Sequence, residues 1–199
     1  ATSWQIGGTA RAAEQLTIPD ALHPRKGTIN VWHKWDDLNQ FDWKDILCNN
    51  LDYGVADSFR LVIKATEGTV YVNLPDNTMI SKSFPRAVIT TDWQMYTVVY
   101  DADEGILDLY IDGALVTDGQ PVNISTLSLE TTLHLSGTFG DMRYGANGLR
   151  DELRIDKIAR TDAEIAGWHK ANAPFYTSED MRQWPGYLRA ESDGIKVYD

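Results

Sequence analysis

Short segments rich in Val, Ile, Thr, Tyr and Trp recur along most of the chain, separated by Gly, Asp and Asn, and this punctuation dictates an all-β fold. The clearest unit is Ile106 to Ile111, where Leu107, Leu109 and Ile111 alternate with Asp108, Tyr110 and Asp112. A period of two is the signature of a strand with one face buried. Asp112-Gly113 follows, and a two-residue turn of the primed type needs positive φ at both central positions, which suits this pair. Further strands are predicted over residues 27–34, 59–65, 69–73, 93–100, 114–117, 131–136 and 149–155, with 59–65 and 69–73 forming a hairpin. Together these make roughly ten strands at the spacing expected of a sandwich or jelly roll.

One helix interrupts the pattern. Thr161 and Glu164 have the spacing of a capping box, Ile165 and Trp168 then share a face, and the helix is expected to end near Asn172, just before Pro174. Residues 173–199 read as a linker and the start of a following hairpin or module, so the expected division is 1–172 for the sandwich and 173–199 for this appendage. The chain is expected to be a piece of a larger protein.

Composition narrows the partners. With 199 residues the chain is long enough to bury an apolar core without disulfides. Its net charge of −11 opposes a nucleic-acid backbone or an anionic membrane as partner. No stretch approaches the roughly 18 apolar residues of a membrane-spanning helix. Cys48 is the single cysteine, which excludes an internal disulfide.

Hydrolysis of a glycosidic bond needs two carboxyl groups about 5 to 10 Å apart. Asp151, Glu152 and Asp156 do not alternate as such a strand pair requires, and Asp36-Asp37 and Glu179-Asp180 are neighbours whose side chains would diverge on a strand. No Gly-x-Ser-x-Gly elbow occurs, and His23, His33, His134 and His169 are scattered without zinc spacing. A non-enzymatic protein is expected.

The segment 34–45 carries the functional expectation. Trp35, Phe41 and Trp43 are mixed there with Asp36, Asp37, Asp42, Asp45, Asn39 and Gln40. Aromatic rings stack on the apolar faces of sugars while carboxylates and amides hydrogen-bond the hydroxyls. A second polar-aromatic stretch, 139–147, is expected at the same end of the sandwich. The predicted ligand-binding set is Trp35, Asp37, Phe41, Asp42, Trp43, Asp141, Arg143 and Tyr144, whereas Trp32, Trp93 and Trp168 are assigned to the core.

The order of segments also carries a resemblance: Gly-Thr-Ile-Asn-Val-Trp at 27–32, Trp93 opening a strand that ends Val-Val-Tyr-Asp, Leu-Tyr-Ile-Asp-Gly at 109–113, and Gly-Leu-Arg-Asp-Glu-Leu-Arg-Ile at 148–155 before the capped helix. Over residues 10–172 this resembles the laminin-G-like branch of the concanavalin A-like lectin and glucanase superfamily. The resemblance implies a two-sheet antiparallel jelly-roll sandwich, a fold used for sugar binding, adhesion or, in some members, glycoside hydrolysis. The Glu-x-Asp-x-x-Glu run of the superfamily's glucanases is missing. It also implies a structural calcium ion, with Asp151 in the matching ligand position. The tail, 174–199, is similar to segments joining such modules to neighbouring domains in minor structural and tail proteins of phages, which implies a virion or extracellular location. The expected role is adhesion or carbohydrate binding to a surface glycan; the alternatives are a purely structural decoration or assembly domain of a virion, and a glycoside hydrolase.

Overall fold

The computed structural model describes residues 4–6, 16–38, 43–50, 54–135, 146, 148–176, 187–191 and 194–198. Its strands are β1 (Trp4–Ile6), β2 (Leu16–Ile18), β3 (Lys26–Trp35), β4 (Lys44–Cys48), β5 (Ser58–Ile63), β6 (Glu67–Asn73), β7 (Met79–Pro85), β8 (Trp93–Asp101), β9 (Ile106–Ile111), β10 (Ala114–Leu115), β11 (Leu133–Leu135) and β12 (Gly148–Asp156), followed by helix α1 (Asp162–Tyr176) and the hairpin β13 (Tyr187–Glu191) and β14 (Gly194–Tyr198). The first twelve form two antiparallel sheets in the orders β1-β12-β3-β8-β9-β10 and β2-β11-β4-β5-β6-β7. The expected all-β sandwich with one short C-terminal helix is the observed architecture.

Alternation explains the packing. Ile29 and Val31 of β3, Tyr96 and Val98 of β8 and Leu107 and Leu109 of β9 meet Phe59, Leu61, Val70 and Val72 of the opposite sheet in one apolar core. Burying each such side chain contributes about 2 kcal/mol. The β9–β10 turn has φ of 53° at Asp112 and 78° at Gly113, as the primed turn requires.

The other face of the first sheet is covered by α1. Trp32 and Trp93 belong to this second cluster, with Met95, Val99, Tyr110, Ile165 and Tyr176. Trp168, expected in the core, is half-buried and packs against this cluster, with the Arg154 guanidinium 3.8 Å over its ring. The capping box forms: the Thr161 N–H donates to Glu164 Oε2 at 2.9 Å, and the Glu164 N–H to Thr161 Oγ1 at 3.4 Å.

The helix does not stop near Asn172, and the expected boundary between 172 and 173 falls inside it. Pro174 removes one backbone donor but leaves the last turn in place. What holds that turn is Tyr176, whose ring stacks on Trp32 with centroids 4.0 Å apart and planes 14° apart. Asn172 Nδ2 also donates to the Trp168 carbonyl at 2.9 Å. No helix among the described residues is long and apolar enough to cross a membrane.

Candidate functional site

Register places the loop ends. Gly148, the first residue of β12, stands opposite Trp35, the last of β3. A side chain at Gly148 would collide with the Lys34 carbonyl, with 2.0 Å from a Cβ to that oxygen, so only glycine allows the strands this approach. Ala146 donates its N–H to the Asp45 carbonyl at 3.3 Å. The chain leaving β3, the start of β4 and the start of β12 therefore share one end of the sandwich. The β3 exit is further fixed by Arg86, whose Nη2 donates to the Leu38 carbonyl at 3.2 Å.

Trp43 sits at this end, one residue before β4. It is 37% exposed, and its φ of 54° lies in the left-handed region, where a bulky residue is an outlier. Such a conformation costs on the order of 1–3 kcal/mol and persists only where the surroundings impose it. The Lys64 ammonium lies 4.6 Å from the ring centroid. Lys64 also pairs with Glu67 at 3.2 Å, and that hydrogen bond holds the Glu67 carboxyl below its ordinary value. An aromatic ring, an ammonium and a carboxylate thus gather at the surface.

Asp36 and Asp37 are exposed at the β3 exit. Partial burial raises the Asp36 carboxyl, against the opposing effect of Lys34. Asp45 lies beneath the surface, buried beside Arg60 with its Oδ2 accepting from Nη1 at 2.7 Å. Burial dominates there and pushes Asp45 up to about 6, although the guanidinium groups of Arg60 and Arg150 work in the other direction.

Trp35 is not part of this surface. It is 2% exposed, its Nε1 donates to the Tyr96 hydroxyl at 3.0 Å, and the His33 ring packs edge-on with centroids 4.3 Å apart. Alternation turns it inward with Val31, so neither ring face is open to a sugar. Phe41, Asp42, Asp141, Arg143 and Tyr144 lie outside the described residues.

Asp151 is 2% exposed at the point where β12 slips register against β3. Its Oδ1 accepts the Glu152 N–H at 2.8 Å, and the Tyr176 hydroxyl lies against it. Burial raises its carboxyl, and burial together with the Asp151 charge raises that of Glu152. Among the described residues no three His, Cys, Asp or Glu side chains gather as a metal site, so these residues alone do not make a calcium coordination sphere.

Sequence reasoning missed the Lys64 partnership. The signal was the β4–β5 ladder: with Lys44 opposite Ile63, the next position outward sets Trp43 across from Lys64.

The chain is similar to solved structures with related sandwiches. A Ruminococcus gnavus sialidase CBM40 bound to α2,3-sialyllactose shares 18% identity at a TM-score of 0.56, covering 74% of this chain and 84% of that one. The botulinum neurotoxin serotype D binding domain shares 14% at 0.59, covering 88% and 48%, and that of botulinum neurotoxin DC in complex with rat synaptotagmin II shares 13% at 0.56, covering 74% and 36%. This chain thus spans less than half the length of the neurotoxin binding domains it matches. No curated protein matches the sequence. The Laminin_G_3 family model matches residues 9–166, and the chain belongs to the family that this model describes, the concanavalin A-like lectin/glucanases superfamily.

Proposed function

We propose that the chain is a non-enzymatic glycan-binding module of a larger extracellular or virion protein, taking its ligand at the end of the sandwich where β3 leaves and β4 and β12 begin. The observation that carries this reading is Trp43, a large ring 37% exposed on a strained backbone, with the Lys64–Glu67 ion pair beside it. One ring face can stack on the C–H face of a sugar while the ammonium and carboxylate bond its hydroxyls. The carbohydrate-bound CBM40 of similar fold supports the same reading. The virion context rests on the similarity of residues 174–199 to module-joining segments of phage proteins.

A structural calcium ion at Asp151 belongs to the same proposal. It rests on the matching position of Asp151 in the family pattern, and the ion would need oxygen ligands beyond that one buried carboxylate. Chelator should lower the melting temperature if the ion is present, and an unchanged melt removes it.

The test of the function is binding of the labelled domain to a panel of glycans and bacterial cell-wall polysaccharides. Saturable binding to a defined sugar is expected. A folded domain that binds none would overturn the reading in favour of a structural module.

A further inference from the structure

Arg150 is a buried cation that the glycan reading does not use. It stands on β12 opposite His33 of β3 and is 1% exposed. Its Nε donates to His33 Nδ1 at 3.4 Å, a long contact, while Nη1 and Nη2 are both buried without a hydrogen-bond partner among the described residues. Removing an ionised group from water without a counter-charge is among the largest penalties a fold can carry. Burial lowers Arg150 only to about 10, so it stays charged at neutral pH.

Two groups act on it through space, Cys48 and Asp45, and neither balances it. Burial pushes the Cys48 thiol up to about 12, which leaves it neutral. The Asp45 carboxylate is bound by Arg60 at 2.7 Å, and Arg60 is itself fully buried. One carboxylate therefore serves two buried guanidinium groups. The fork of the second, with both terminal nitrogens unpaired, is a planar pair of donors suited to an anion.

We propose that Arg150 holds a small monovalent anion inside the sandwich, a halide or a carboxylate of formate size, which accepts hydrogen bonds from Nη1 and Nη2 and supplies the missing negative charge. The site is independent of the surface at Trp43. An anion bound only by the folded chain raises the melting temperature by mass action, with the logarithm of its concentration once that exceeds the dissociation constant.

The experiment starts from protein exchanged into sodium gluconate, an anion too large for the interior. Bromide or formate then replaces gluconate at constant ionic strength. A rise in melting temperature that grows with the logarithm of anion concentration is expected, about 5 to 10 °C at a hundredfold excess over the dissociation constant. Arg150→Met should show no such rise. The bromide and formate arms distinguish a halide site from a carboxylate site, and competition between them shows whether they share the fork. Should Arg150→Met fail to fold, crystals of the wild-type chain grown in bromide decide the matter. An anomalous peak at hydrogen-bond distance from Nη1 and Nη2 supports the site. Water alone at the fork, or a melting temperature indifferent to the anion, overturns it.

Discussion

Lys64 holds its ammonium 4.6 Å from the centre of the Trp43 ring, across the continuation of the β4–β5 ladder. The contact involves a ring that is 37% exposed. Exposed cation–π contacts contribute about 0.5–1 kcal/mol. Lys64→Met keeps the apolar stem and removes the charge. It is expected to weaken glycan binding about two- to fivefold with little change in melting temperature, as titration calorimetry and a thermal melt would show.

Trp35 gives the opposite outcome. With its ring in the core and Nε1 bonded to the Tyr96 hydroxyl, Trp35→Ala should cost about 3–5 kcal/mol in urea unfolding. A loss below about 1 kcal/mol would mean that the ring is not packed as described.

Tyr176 pins the last turn of α1 to the sandwich. Its ring covers Trp32 at 4.0 Å and touches the Trp93 ring at 5.1 Å. Tyr176→Ala should lower stability by about 3 kcal/mol and expose the Trp32 indole to acrylamide quenching. A chain ended at residue 172 should behave like this variant, whereas a stable chain ended there would return the boundary to Asn172.

Asp45 predicts a pH dependence. Its folded value of about 6 stands above the ordinary carboxylate value of 3.8, so between these limits the folded chain binds the proton more tightly than the unfolded chain. The stability from this group is therefore fully present below about pH 4 and lost as pH rises through 6, a change of about 3 kcal/mol. Asp45→Asn should remove that component from urea unfolding followed between pH 4 and 7. A carboxyl resonance for Asp45 titrating below 4 would contradict it.

Local signals made the sandwich legible. The alternation in Ile106–Ile111 and the Asp112-Gly113 turn need only neighbouring residues, and both stand in the structure. Lys44–Cys48 escaped because four of its five residues are buried and no polar face alternates. Met79–Pro85 escaped for a different reason. Its inward Lys82 breaks the apolar pattern, and the distant Asp108 and Asp118, at 2.9 and 3.1 Å, make that lysine acceptable inside. The site was harder to read. Trp35 and Trp43 are the same residue type eight positions apart, and what separates core from surface is strand phase in one and a positive φ in the other. Arg150 and Asp45 look like surface charges in a sequence, because burial is decided by strands far away along the chain.

The measurement that tests the central claim most directly is the affinity of Trp43→Gly for whichever glycan the wild-type domain binds, paired with its melting temperature. Glycine removes the ring and relieves the left-handed strain, so stability should stay within about 1 kcal/mol of wild type. Affinity should fall at least about tenfold, a loss of about 1.4 kcal/mol. A variant that binds as tightly as the wild type would contradict the placement of the ligand at Trp43.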